Sequence, residues 1–296
     1  MRSKKWIEKN IGNESLSGKT VAVTGTTGGL GRPLCEYLAS LGASLLLLDR
    51  NHERSRAFAS ELLRKYPAVS VRCIKTELED MENVRAVCDE LEKNVPDVFI
   101  HNAGAYSIPR HKCSTGYDNV FQINFLSPYY MIRRLLPLMD EKKGKVVIVG
   151  SIAHNYSRSD PNDVDFSKRH RASQVYGNAK RYLMFSLYEL FKDREGATLS
   201  VTHPGIAVTN ITSHYPKLIY AIIKYPMKII FMSPERAAIS VLSGVFQNTD
   251  YHEWIGPRLF DIWGLPSLKK LRTVTDEESR MIGERAEKMW RELSDM

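Results

Sequence analysis

Within the stretch QVYGNAK, Tyr176 and Lys180 stand four residues apart, so on a helix they share one face and their polar heads act on a common object. A free tyrosine titrates near pH ~10 and a free lysine near ~10.4. Side by side in a cleft, the ammonium favours the phenolate and draws the tyrosine toward the working range. The pair is then an acid/base device; on an open surface helix it is two solvated side chains. A cleft built by the rest of the chain would decide between them.

The elements that would build one are legible in the first half. Val21 to Val23 is a short apolar run, followed by TGTTGGLG and then the helical pattern of Leu34, Tyr37, Leu38 and Leu41. Leu45 to Leu48, Val98 to Ile100 and Val146 to Val149 are further apolar runs with helical segments between them. Short, nearly continuous apolar strands separated by amphipathic helices predict an α/β fold, a doubly wound parallel Rossmann-type sheet covered on both faces. Further on, Glu235 to Phe246 reads as a helix, Trp254 to Pro257 as the last strand and its turn, and residues 264–273 as an exposed basic connection before a final helix. A single domain is expected over residues 18–296, after an N-terminal extension of residues 1–17.

The chain has 296 residues, 43% hydrophobic and 26% charged, which suits a globular protein and argues against disorder. Cys35, Cys73, Cys88 and Cys113 are scattered, with no CxxC and no histidine at ligand spacing, so neither a disulfide framework nor a metal site is expected. The net charge of +8 is dispersed and lacks a recognition helix or stacking motif, so no nucleic-acid partner is expected. The opening MRSKKWIEKNIGNES has no continuous apolar run and no later segment reaches the ~18 apolar residues of a membrane span, so a cytoplasmic protein is expected.

Between the first strand and the first helix, Thr24 to Gly31 places glycines where a tight turn must let backbone approach a pyrophosphate at a helix N-terminus. Gly25, Thr27, Gly29, Leu30 and Gly31 are its candidate contacts. Asp49 and Arg50 end the second strand. A carboxylate there accepts from both adenosine-ribose hydroxyls, whereas arginine attracts a 2′-phosphate. Asp49 directly ends LLLL and no cation lies in Thr26 to Gly28, which favours NAD over NADP by a small margin.

With TGTTGGLG, HNAG at His101 to Gly104, Ser151 after VVIVG, YGNAK, and Pro204-Gly205 through Thr209, the sequence resembles the classical short-chain dehydrogenase/reductase family from about residue 18 to 210. Gly28 and Gly31 also fit the TGxxGxxG spacing of the extended, epimerase-like branch, but HNAG and the short C-terminal region point to the classical one. GSIAH, a long polar insertion before Tyr176 and the final helix are similar to the retinol-dehydrogenase-like subgroup.

The resemblance implies roles. Tyr176 is the general acid/base on the reacting oxygen, Lys180 holds nicotinamide-ribose hydroxyls and lowers the Tyr176 pKa, Ser151 orients the substrate oxygen, and Asn124 helps hold a water-filled proton path. Read singly, Ser151 is a strand-end turn residue and Asn124 a helix hydrogen-bonder. Asn102, Ala103, Gly104, Pro204, Gly205 and Thr209 take cofactor-side positions, as do Leu78 and Glu77, the latter where relatives usually carry Asp. His101, His154 and His203 read as structural histidines, and no GxSxG elbow supports a hydrolase.

After Thr209, apolar residues and the lysines Lys217, Lys224 and Lys228 suggest two short amphipathic pieces, a substrate lid over 210–235 with a peripheral membrane contact in reach. The resulting expectation is an NAD(P)-dependent oxidoreductase interconverting an alcohol and its carbonyl on a lipophilic substrate such as a retinoid or steroid. The family further implies a homodimer or tetramer. The alternative is a catalytically silent dinucleotide-binding sensor or scaffold.

Overall fold

The computed structural model describes residues 2–12, 14–205 and 232–295. Thr209 and most of the expected lid therefore lie outside the described residues, and so do Lys217, Lys224 and Lys228.

One sheet of eight strands organises the chain in the order β3-β2-β1-β4-β5-β6-β7-β8. β1 (Thr20–Thr24), β2 (Ser44–Asp49), β4 (Val98–His101) and β5 (Lys145–Val149) each contain or extend an apolar run, and with β3 (Val71–Lys75) and β6 (Thr198–Thr202) they pair in parallel. Chain order reverses between β1 and β4, opening a crevice beyond the carboxyl ends of those strands. β7 (Glu253–Leu259) adds in parallel beside β6, and β8 (Trp263–Lys270) closes the edge antiparallel to β7.

The expected basic connection at residues 264–273 is thus largely a strand. An edge strand has one buried neighbour, so Leu265, Leu268 and Lys270 stay exposed and its composition looks like that of a loop. Pro266 is tolerated in such a strand because one side needs no ladder bond.

Helices cover both faces, each over its own core. On one face lie α2 (Gly31–Ser40), α3 (His52–Lys65) and α8 (Pro234–Phe246), with Leu34, Leu38, Phe58 and Val241 packed on Val21, Val23 and Leu47. The other carries α4 (Met81–Lys93), α6 (Ser127–Glu141), α7 (Ala172–Phe191) and α9 (Asp276–Ser294), with Phe121, Phe125, Tyr182 and Phe185 at its centre. The described residues before β1 pack on the fold. Helix α1 (Arg2–Asn10) leads to Ile11 and Leu16, both buried in the first core, and the Leu16 amide donates to the Leu41 carbonyl at 2.8 Å. At the far end of the expected lid, Ser233 caps α8 and Met232 is buried, so residues 232–235 belong to the body of the fold.

Candidate active site

The glycine loop folds against the end of β4. Gly25 has φ 71°, in the left-handed region, and a Cβ there would stand 2.9 Å from the Ala103 Cα. At Gly31, a Cβ would meet the Gly25 carbonyl oxygen at 2.2 Å. Gly29 lies in the turn between them, and Leu30 occupies the N-cap of α2 without a side-chain cap bond. The loop is therefore all backbone at its tightest point, over a helix N-terminus that no cap side chain occupies. Those features suit a pyrophosphate, and the residues fit a dinucleotide.

Asn102 locks this loop to the sheet. Its amide nitrogen donates to the carbonyls of Thr24 and Gly25 at 3.0 and 2.9 Å, while the backbone amides of Asn102 and Ala103 both donate to the Thr24 hydroxyl oxygen at 3.0 Å. That hydroxyl keeps one proton, which goes to His101 Nδ1 at 3.1 Å. Burial, aided by the Lys180 charge, holds His101 well below the usual imidazole range, so it is neutral.

Asp49 is buried, and the glycine loop takes its carboxylate. Thr26 donates to it, the Thr27 amide and hydroxyl reach Oδ1 at 3.2 and 3.4 Å, and the Ser55 hydroxyl reaches Oδ2 at 2.9 Å. Arg50, by contrast, has a side chain 72% exposed and stands 4.0 Å from Glu77. Burial pushes the Glu77 carboxyl up while Arg50 opposes it. The Leu78 side chain is in the core, and its carbonyl accepts from Ser127 at 2.6 Å, which ties the end of β3 to α6.

Asn124 sits in a π-helical turn, Gln122–Leu126, that interrupts the helix leading into α6. Its amide nitrogen donates to the Val120 and Ala105 carbonyls at 2.8 Å each, and its oxygen accepts from the Ala105 amide at 3.2 Å. The bond to Val120, four residues back, replaces a backbone ladder bond and accommodates the wide turn. A Cβ on Gly104 would lie 2.9 Å from the Asn124 oxygen and 3.8 Å from Lys180 Nζ, so the glycine leaves room for both.

Ser151 follows β5 and caps a short 3₁₀ turn, Ile152–Asn155, where its hydroxyl oxygen accepts from the Ala153 amide at 3.2 Å. Tyr176 and Lys180 come from the second turn of α7 and beyond, on one helical face. The α7 backbone meets the 3₁₀ turn at Gly177, where a Cβ would stand 2.2 Å from the Ala153 carbonyl oxygen. This close approach brings Tyr176 to Ser151. Lys180, 1% exposed, donates to the Val149 carbonyl at 2.9 Å, and its ammonium lies 5.8 Å from the Tyr176 ring centre.

The electrostatics correct one expectation. Burial pushes the Tyr176 phenol up to about 12, opposed by its hydrogen bond with Ser151, and Tyr106 raises it further from an edge-to-face contact at 5.4 Å. Burial likewise brings Lys180 down to about 7. Desolvation outweighs the Tyr–Lys attraction that spacing alone suggests, and the resting tyrosine is a neutral phenol.

The structure thus brings Asn124, Ser151, Tyr176 and Lys180 to one crevice beside the glycine loop, Asn102 to Gly104 and the end of β2. Pro204 and Gly205 follow β6 at the same carboxyl end of the sheet, with Gly205 at φ 78° packed against Pro257, Met232 and the Ile262 carbonyl. Sequence reasoning missed two supports. Gly177 reads as a weak point in a helix, and His154 as an ordinary core histidine.

Three buried histidines make acid stability predictable. Burial holds His101 well below its ordinary value and brings His154 and His203 each to about 4. Below the unfolded value of ~6.5, the unfolded chain binds protons that the folded one refuses, so stability falls as pH drops from ~6.5 to ~4, by up to roughly 3 kcal/mol for each of His154 and His203, with His101 acting in the same direction. Urea unfolding at neutral pH and near pH ~5 checks this. Equal midpoints at the two pH values would show that these rings are charged or solvated.

A twisted parallel sheet with a glycine loop at its switch point and a Tyr/Lys/Ser/Asn cluster beyond β4 and β5 defines a dinucleotide-binding oxidoreductase. The family model for short chain dehydrogenase matches residues 19–160. Retinol dehydrogenase 14 of Homo sapiens is 29% identical over 245 residues, 75% of this chain and 72% of that protein. Retinol dehydrogenase 12 of Mus musculus is 28% identical over 205 residues, 68% of this chain and 65% of that protein. Among solved structures, an uncharacterized protein from Mycobacterium paratuberculosis superimposes with a TM-score of 0.75 at 22% identity, covering 94% of this chain and 95% of its own. With the short chain dehydrogenase match over residues 19–160 and these relatives, the chain is an NAD(P)-dependent oxidoreductase of alcohols and carbonyls. No described helix is long and apolar enough to cross a membrane.

Proposed function

We propose that this enzyme interconverts a lipophilic alcohol and its carbonyl, with Tyr176 as general acid/base. The observation that carries this reading is the convergence of the half-buried Tyr176 on Lys180, 5.8 Å from its ring, and on the Ser151 turn that Gly177 meets at close range. A phenol held protonated at working pH is a proton donor at Oη. Ser151 fixes where a carbonyl oxygen must stand, Asn124 holds the Ala105 backbone that borders the site, and Lys180 offers donors toward a ribose. When bound, the dinucleotide supplies or accepts hydride. The names of the relatives support a retinoid-like substrate class, and the Tyr106 and Tyr176 rings, in edge-to-face contact at 5.4 Å, give the site aromatic surface.

On the cofactor, the geometry supports NADP over the NAD that the sequence favours. Asp49 has its carboxylate engaged by Thr26, Thr27 and Ser55, while Arg50 is exposed at the same strand end. Arg50→Ala is expected to weaken NADPH binding by roughly tenfold to a hundredfold, the range of a lost charged hydrogen bond, and to leave NADH within about threefold. Calorimetric titration with both nucleotides reads this. Equal losses for both, or none, would return the choice to Asp49. We further propose one domain over residues 18–296 with a substrate lid over residues 210–231; truncation or replacement of that segment is expected to alter substrate preference before dinucleotide affinity.

A further inference from the structure

His154 reaches the Ser151 turn from behind. Its ring folds back so that Nδ1 lies 2.6 Å from the Ser151 carbonyl oxygen, while Nε2 lies 2.9 Å from the Thr273 hydroxyl. A carbonyl only accepts, so Nδ1 carries the proton and Nε2 accepts from Thr273. Both ring nitrogens are used, and the ring is fully buried between Phe185 and Trp254, at centre distances of 5.9 and 5.5 Å. An apolar ring would fill that space without the cost of burying two polar nitrogens, so the polarity has a task.

Arg181, the residue after Lys180, completes the arrangement. It donates to the His154 carbonyl at 2.8 Å and to the Thr273 carbonyl at 3.3 Å, and forks onto Glu278 at 2.8 and 2.7 Å. Burial opposes ionisation of Glu278, but Arg181 and Ser159 hold its carboxyl below the ordinary range. One guanidinium therefore joins the 3₁₀ turn, the segment after β8 and the first turn of α9. The turn in turn fixes Ser151: its oxygen accepts from the Ala153 amide, which leaves its proton to donate into the site.

We propose that His154 is a positioning residue for Ser151, held in place by Thr273, Arg181 and Glu278, so that the C-terminal segment sets the geometry of a catalytic group in the middle of the chain. The inference rests on Ser151 and Tyr176 acting in the alcohol–carbonyl reaction. Its structural half is testable without any ligand.

The test compares wild type with His154→Phe, which keeps an aromatic ring, His154→Asn, whose amide nitrogen can stand in for Nδ1, and His154→Gln, which reaches toward Thr273 instead. In ligand-free protein, exchange of the Ala153 amide hydrogen is expected to quicken at least about tenfold in His154→Phe and His154→Gln, and to return within about threefold of wild type in His154→Asn. With NADPH and all-trans-retinal as probes, kcat is expected to fall about tenfold to a hundredfold in the same two variants, with the KM for NADPH within about threefold and recovery in His154→Asn. Thr273→Val, at an exposed position, is expected to move both readouts the same way by a smaller factor and serves if His154→Phe does not fold. Unchanged Ala153 exchange in the variants that lose the Nδ1 donor would overturn the proposal, as would unchanged kcat where exchange has quickened. Absence of turnover by wild type would count against the retinoid reading of the substrate alone, and the exchange series would still decide whether His154 orders the turn.

Discussion

Tyr176→Phe is expected to lose turnover by about a thousandfold or more while dinucleotide affinity stays within a few-fold of wild type. General acid/base catalysis by a positioned side chain contributes roughly a hundredfold to ten-thousandfold, and none of the nearby buried histidines can stand in. His101 is neutral, its Nδ1 is occupied by Thr24, and it is fully buried. His154 and His203 are likewise buried and neutral. The variant is expected to be about as stable as wild type, because it keeps the ring and removes one hydroxyl from a half-buried position. Thermal unfolding alongside kinetics distinguishes a lost proton donor from a damaged fold. Retained turnover would remove Tyr176 from the chemistry.

The second large effect is expected at a residue with no functional group. Helix propensity alone says that Gly177→Ala should stabilise α7 by about 1 kcal/mol. Packing says the opposite, because the new methyl would lie 2.2 Å from the Ala153 carbonyl oxygen, a backbone atom that cannot turn aside. Either α7 or the 3₁₀ turn must move, at the typical overpacking cost of about 1–3 kcal/mol. The shift separates Tyr176 from Ser151. A displacement of about 1 Å at reacting groups can cost about a hundredfold in rate, so turnover is expected to fall by at least that factor with dinucleotide binding little changed. A variant with wild-type kcat and a higher melting temperature would show that propensity wins and that the close approach is not needed.

These cases show which features the sequence carries and which it hides. β1, β2, β4 and β5 are legible because each is a short, apolar run at a fixed place beside a glycine turn or a polar motif. Asn124, Ser151, Tyr176 and Lys180 are legible together through the family resemblance; no one of them is distinctive alone. β8 is hidden because an antiparallel edge strand with Pro266, Lys269 and Lys270 has the composition of a connection. His154 and Thr273 are separated by 119 positions, so their pairing is visible only after the C-terminal hairpin has folded back over α7. Gly177 is hidden for a different reason: a helical glycine acquires meaning only from what approaches it. The Tyr176 pKa was misdirected by counting a neighbouring charge without the larger effect of burial.

Asp49 and Arg50 illustrate a similar limit. Spacing places both at the end of β2, and only the fold reveals that the carboxylate is occupied by the glycine loop while the guanidinium is exposed. The cofactor preference therefore turns on side-chain partners rather than on residue order.

The most direct test of the central claim follows reduced-nicotinamide absorbance when wild type and Tyr176→Phe are mixed with NADPH and a panel of lipophilic aldehydes and ketones that includes all-trans-retinal, after calorimetry has shown that both proteins bind the nucleotide. The expected result is loss of the reduced-nicotinamide signal with wild type for at least one carbonyl and almost none with Tyr176→Phe. Equal rates in the two proteins would contradict the assignment of Tyr176 as the proton donor, and tight nucleotide binding with no oxidation of NADPH or NADH by wild type on any carbonyl would favour a silent dinucleotide-binding protein.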